Sequence, residues 1–331
     1  MKFLPILCLL SLPLHMAFAD DAVVKVDGSS TVFPITEAVA EEFQSSQQGK
    51  IKVTVGISGT GGGFKKFCRG ETDVQDASRP ISTEEMKVCK DASIDYIELP
   101  IAFDAMTIVI NPKNTWAKDI TVAELKTLWA PEAQGKVMKW SQVRAGWPDT
   151  DIKLYGAGSD SGTFDYFTEA IVGKAKSSRG DYTASEDDNT LVQGVASGKE
   201  GLGYIPYAYY EMNKSKLKVL PVIGGEKAPL KTAVAPSQKS VEDGTYYPLS
   251  RPIFIYVSAS AIKKPEVKTF TEYYLSSVRE LAAQVKYIPL PEKAYTMAKA
   301  NVAKSKTGTV FGGKSEVGMR IEELLKRETQ H

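Results

Sequence analysis

Two rhythms of apolar and polar positions alternate along this chain. Residues 23–26 and 50–57 carry a β-type pattern, and between them Ile35, Val39 and Phe43 recur at helical spacing, which predicts a helix over 34–46. The exchange continues with a short helix over 62–68, a strand over 73–77 and a helix over 82–91. Further on, the pattern predicts a helix at 122–129 and strands at 152–155 and 203–205. Helices follow around 266–274, 277–285, 292–303 and 316–327. Alternation of this kind predicts an α/β fold, with a mixed, mostly parallel sheet flanked by helices.

Two β-type runs are longer than ordinary strands. One covers 94–110 and is broken near Phe103-Asp104; the other covers 246–258 and is punctuated by Pro248 and Pro252 before the apolar stretch 253–257. Both read as crossovers between two lobes. The layout then predicts a discontinuous first lobe from 20–104 and 254–331, with a continuous second lobe, 105–253, inserted into it. A ligand in such a fold sits in the cleft between lobes, at the C-terminal ends of the strands.

Three turns stand out against this pattern: Asp27-Gly28-Ser29-Ser30-Thr31-Val32-Phe33-Pro34, Ser58-Gly59-Thr60-Gly61-Gly62-Gly63-Phe64 and Gly158-Ser159-Asp160-Ser161-Gly162-Thr163-Phe164. Each follows a β-like stretch and enters a helix-like one through an aromatic residue. Glycine lets the backbone approach a ligand, hydroxyls donate hydrogen bonds, and a helix's first turn offers unpaired N–H groups. One such turn is an ordinary helix cap; three together suggest a pocket that wraps an oxyanion. Nucleotide motifs fail in detail. Phe64 precedes Lys65 and Phe67 follows Lys66, where a P-loop needs Gly-Lys-Ser/Thr, and Ser161 lies in Gly-Ser-Asp-Ser-Gly rather than Gly-x-Ser-x-Gly. A buried oxyanion also needs a cation. Arg79, in Asp76-Ala77-Ser78-Arg79-Pro80 just past a predicted strand, is the best placed by sequence.

Composition narrows the classes. The chain has two histidines, His15 and His331, too few and too peripheral for a Ser-His-Asp or Cys-His apparatus or a His-rich metal site. Met1-Lys2, an apolar run to Phe18 and Ala17-Phe18-Ala19 describe a signal peptide over 1–19. Pro5, Pro13 and His15 interrupt that run, and Leu7 before Cys8 does not suit a lipoprotein site, so the expectation is a soluble exported protein. Of 41 basic and 40 acidic residues only Lys2 leaves with the signal, and the balanced remainder argues against nucleic acid as a partner. Cys68 and Cys89 then remain, and in an oxidising compartment they are expected to form a disulfide.

The order Asp-Gly-Ser-Ser-Thr-Val-Phe-Pro, Gly-Ile-Ser-Gly-Thr-Gly-Gly-Gly, Ala-Ser-Arg-Pro-Ile and Ser-Gly-Thr-Phe resembles the phosphate-binding proteins of bacterial Pst-type ABC transporters. The tail Thr307-Gly308-Thr309-Val310-Phe311-Gly312-Gly313 is similar to that family too. The resemblance covers essentially the whole chain after the signal. It implies a two-lobed periplasmic binding protein of type II that acts as a monomer, needs no cofactor or metal, closes on inorganic phosphate and delivers it to the permease subunits of an ABC transporter. Carried over by position, it implies phosphate contacts from Ser30, Thr31 and Val32, from Thr60, and from Ser161, Gly162 and Thr163.

Two charged positions depart from the family pattern. The family's arginine falls where this chain has Ala157, and its aspartate where this chain has Arg79. The expectation is an exchange of charges: Arg79 supplies the cation, and Asp160 the carboxylate that accepts the phosphate proton, with Asp76 as the fallback. Such a carboxylate repels sulfate, which has no proton to share. Binding of another oxyanion, an extracellular phosphohydrolase and an adhesive surface protein on the same scaffold remain as alternatives.

Overall fold

The computed structural model describes residues 22–330, so the expected signal peptide lies outside the described residues. In chain order, β1 (Ala22–Gly28), α1 (Phe33–Ser46), β2 (Ile51–Ile57), α2 (Gly59–Phe67), β3 (Val74–Ala77) and α3 (Thr83–Asp91) lead into the long β4 (Tyr96–Ile110). Next come β5 (Ile120–Thr121), α4 (Val122–Trp129), β6 (Lys153–Ala157), α5 (Gly162–Val172), β7 (Thr183–Ser185), α6 (Asp188–Ala196), β8 (Gly201–Pro206) and α7 (Tyr207–Met212). Three short strands, β9 (Lys218–Val219), β10 (Val222–Ile223) and β11 (Ala233–Val234), and the helix α8 (Gln238–Glu242) precede the second long strand, β12 (Ser250–Ser258). The chain closes with α9 (Pro265–Gln284), β13 (Ile288–Pro289), α10 (Glu292–Ala303) and α11 (Ile321–Gln330).

One sheet runs through the molecule in the order β2-β1-β3-β12-β4-β8-β6-β7. Its two ends are parallel, β1 with β2 and β3, and β6 with β7 and β8. Its middle is antiparallel: β12 pairs with β3 and β4, and β4 pairs with β8. The change of neighbour falls within β4. Residues Tyr96–Ala105 face β12, and Met106–Ile110 face β8. All residues of β4 and β12 are buried, as their near-continuous apolar runs require of central strands. β2 lies at the sheet edge, with its Lys52, Thr54 and Ile57 exposed and Ile51, Val53 and Val55 only half buried.

The cores on the two sides of this line are aromatic. Phe43 packs on Phe270 and Tyr273 between α1 and α9, while Trp129 meets Phe167, Tyr182 and Tyr204 on the other side. A disulfide joins Cys68 at the end of α2 to Cys89 in α3, as the sequence led one to expect. No helix among the described residues is long and apolar enough to cross a membrane.

Several predicted boundaries move, each for a visible reason. α2 starts at Gly59 instead of residue 62: its glycines are poor helix formers, but Phe64 and Phe67 are fully buried, and that packing outweighs propensity. The two helices expected over 266–285 are one, because Ser276 and Ser277 donate back to the carbonyls of Glu272 and Tyr273 and stay inside the helix. The last helix begins at Ile321, since Gly318 adopts a left-handed φ of +70°. β4 has no break at Phe103-Asp104, because Asp104 finds a partner across the ladder.

Candidate functional site

The three Gly/Ser/Thr turns converge. α1, α2 and α5 each begin at one of them. Only the third turn caps its helix conventionally: Ser161 Oγ accepts from the Thr163 N–H at 3.1 Å. Neither Val32, which precedes α1, nor Ser58, which precedes α2, makes a side-chain cap. Ser58 instead donates to Asp27. Capping therefore explains one turn out of three.

Side chains tie the turns together. Thr31 and Thr163 place their hydroxyl oxygens 3.0 Å apart, although 132 residues separate them. Gly162 packs so closely on the second turn that a Cβ there would lie 2.6 Å from both Thr60 Oγ1 and Ser78 Oγ, so only glycine fits. Ser78 donates its N–H to Thr60 Oγ1 at 3.1 Å, and the two hydroxyls lie 3.2 Å apart. Tyr209 and Tyr287 hold the first turn from behind by donating their hydroxyls to the carbonyls of Ser30 and Thr31. The Val32 N–H turns back to Ser29 O at 3.1 Å, and its side chain joins the core.

The cation among these hydroxyls is Arg251, on β12. Its Nη2 donates to Thr163 Oγ1 at 2.8 Å and reaches Thr31 Oγ1 at 3.4 Å, and its Nη1 donates to Gly162 O at 3.1 Å. Asp104 on β4 accepts from the same Nη2 at 3.0 Å. Arg251 and Asp104 are register partners across the ladder, and both are fully buried. Burial pushes the Asp104 carboxyl above the usual range, with Arg251 pulling it back.

A second carboxylate stands beside them. Asp188 opens α6, is 2% exposed and leaves its Oδ2 without a hydrogen-bond partner. Burial raises it to about 7, a hydrogen bond from Ser30 works against that rise, and neighbouring Asp104 adds to it.

The charged residues expected from sequence are bonded to other partners. Arg79 is buried, but Glu85 accepts from both its Nη atoms at 2.8 Å and Asp165 from its Nε at 2.7 Å. Burial opposes its charge, and these two carboxylates more than compensate and hold its pKa up. Asp160 pairs with Lys65 at 2.9 Å, with the two side chains 47% and 64% exposed respectively. Asp76 is buried on the α1–α9 side, where its Oδ1 accepts from Thr36, itself bonded to Tyr274. Burial holds the Asp76 carboxyl well above its usual range. The structure brings Thr31, Thr60, Ser161, Gly162 and Thr163 together but not Val32, and the charges beside them are Arg251, Asp104 and Asp188.

The geometry can be set beside known proteins. The model of the PBP superfamily domain matches residues 18–278. Protein SphX of Synechococcus elongatus is 52% identical over 316 residues, covering 96% of this chain and 92% of that protein. The phosphate-binding protein PstS of Staphylococcus saprophyticus is 38% identical over 276 residues, 82% of each chain. This chain belongs to the PstS-type phosphate-binding proteins of the PBP superfamily. The crystal structure of a possible phosphate binding protein from Planctomyces limnophilus is 50% identical to this PstS-type chain. It covers 86% of this chain and 99% of its own, at a TM-score of 0.64. A putative phosphate ABC transporter substrate-binding protein from Clostridium perfringens, at 24% identity and a TM-score of 0.66, shares the same mixed α/β fold.

Proposed function

We propose that this PstS-type protein captures inorganic phosphate where its three glycine-bearing turns meet, and delivers it to an ABC permease. The observation that carries the reading is the environment of Arg251: a fully buried guanidinium that faces two threonine hydroxyls and a carbonyl. An arginine fork with helix N-termini around it suits a tetrahedral oxyanion. Thr31, Thr60, Ser161, Gly162 and Thr163 supply hydroxyls and N–H groups, and Arg251 supplies the cation. Asp188, with its free Oδ2, accepts the proton that phosphate still carries and so discriminates against sulfate.

In this reading the protein acts as a binder without turnover, exported by a signal peptide over 1–19 and working as a monomer. Of the described residues, 22–104 and 254–330 form one lobe and 105–253 the other, and the anion lies between them. Calorimetric titration with phosphate, sulfate and arsenate tests it. The expected result is one phosphate per chain and much weaker sulfate binding. No phosphate binding, or equal affinity for sulfate, overturns the phosphate assignment. Metal-independent hydrolysis of a phosphate ester above a heat-killed control overturns the assignment as a pure binder.

A further inference from the structure

Arg79 has no part in the hydroxyl cluster, yet it is among the most heavily bonded side chains of the molecule. It follows β3 in one half of the sheet, while Asp165 lies in the first turn of α5 in the other half. Their side chains are each only 6% exposed. The guanidinium is fixed by its own half: Glu85 takes both Nη atoms at 2.8 Å, and Pro80 O accepts from Nη1 at 3.1 Å. Nε reaches across to the other half, at 2.7 Å to Asp165 Oδ2.

Asp165 is provisioned differently. Its Oδ1 is buried without a hydrogen-bond partner, so the carboxylate's bonding rests on Arg79. Separating the halves would return Asp165 to water and leave Arg79 neutralised by Glu85. Burying an ion pair costs about as much in lost hydration as the attraction returns. A contact with that balance can close and open. It is reinforced on the same seam by the Gly61 N–H donating to Asp160 O at 2.8 Å and by the Lys65–Asp160 pair.

We propose that Arg79 and Asp165 form a positioning pair that holds the two halves together around the bound anion without touching it. The proposal rests on the phosphate reading above for its ligand, and it goes beyond that reading by separating how the anion is held from how the halves are held. A residue that contacts the anion alters which anion is preferred. A pair that only fastens the closed arrangement slows escape of every anion alike.

Stopped-flow measurement of phosphate association and dissociation on the full exported protein tests this, with Asp165→Asn against wild type. The near-isosteric change should speed dissociation about tenfold, leave association within about twofold, and leave the phosphate-to-sulfate preference unchanged. Asp165→Ala should move dissociation further in the same direction. An unchanged dissociation rate overturns the proposal, and so does a shift in anion preference, which would place Asp165 at the anion. Spin labels at Lys126→Cys and Lys268→Cys, exposed positions in opposite halves, give a readout that needs no phosphate. Asp165→Asn should lengthen the ligand-free label distance, and an identical distance distribution refutes the pair's role. If wild type binds no phosphate, the proposed function fails, and the label distances alone decide the positioning pair.

Discussion

Arg79 meets carboxylates on two sides, from Glu85 and Asp165, whereas Arg251 meets one carboxylate, Asp104, and otherwise hydroxyls and a carbonyl. Both guanidinium groups are buried, and both lie close to the same turns. What separates them is the charge left over once their partners are counted. Around Arg79 the two bonded carboxylates already outnumber its single positive charge. Around Arg251 the directly bonded groups sum to zero, the remaining partners are dipoles that can turn toward a ligand, and Asp188 stands by with a carboxyl that ionises only near neutrality. Burial of an arginine beside glycine-rich turns does not by itself make an anion site; its bonding partners do.

The sharpest way to break this comparison is Arg251→Ala. It removes the cation and strands Asp104, so phosphate affinity should fall by about a hundredfold or more, and stability by roughly 3–5 kcal/mol. Calorimetry and thermal melts read both. If Arg79→Ala weakens phosphate binding more than Arg251→Ala does, the two arginines have been assigned the wrong way round.

Next in size is the disulfide that joins α3, the helix carrying Glu85, to α2. Cys68 and Cys89 are 21 residues apart. Replacing both by Ser should cost about 3 kcal/mol in urea unfolding in the chain-entropy account. If the Arg79 clamp depends on α3, the same variant should release phosphate faster. Unchanged release would show that Glu85 holds its place without the bridge.

Asp188→Asn sharpens the other side. It should narrow the phosphate-to-sulfate ratio by about tenfold, near 1.4 kcal/mol, with the pocket's shape preserved. It should also change the pH dependence of stability, with a definite sign. The Asp188 carboxyl is raised from 3.8 to about 7 on folding, so the folded state binds its proton more tightly than the unfolded state. Its contribution is therefore most favourable below pH 3.8 and is lost as pH rises toward 7. In Asp188→Asn that loss should flatten in urea titrations across the same window. A slope identical to wild type would mean that Asp188 does not titrate there.

The smallest effect belongs to Asp160→Ala. Its pairing with Lys65 is solvent-exposed, and such pairs are worth about 0–1 kcal/mol. Phosphate affinity should stay within about threefold of wild type and the anion preference should not move. A marked change in preference would return Asp160 to the site.

Most of the architecture was legible because apolar periodicity and turn chemistry are local. The three turns, the disulfide partners and the two long runs could each be read from neighbours in sequence. The charges could not, because Arg251 lies 88 residues from Thr163 and 220 from Thr31. Looking for a cation beside the glycines led to Arg79, which is near in sequence and bonded elsewhere. A usable signal was nevertheless present. The first long apolar run carries Glu98 and Asp104 within it and the second carries Arg251, and a buried charge must find a partner. Arg251 and a carboxylate of the other run are opposite charges, but nothing local in the sequence says that the two runs lie side by side. Asp188 had no such signal: it stands beside Asp187, which caps α6, in a polar stretch where an acidic residue is unremarkable.

The position of the Arg251–Asp104 pair along β4 has a mechanical consequence. The pair lies within two residues of the point where β4 exchanges β12 for β8 as its neighbour. Any rocking of one half of the sheet against the other has its fulcrum there, where displacement is least. The turns bearing Thr60 and Thr163 start helices in opposite halves, and Thr163 is itself bonded to Arg251. If the halves do rock, a guanidinium at such a point moves little while the two turns part. On the proposed function, an anion would then meet a nearly fixed positive charge first and the travelling hydroxyls afterwards.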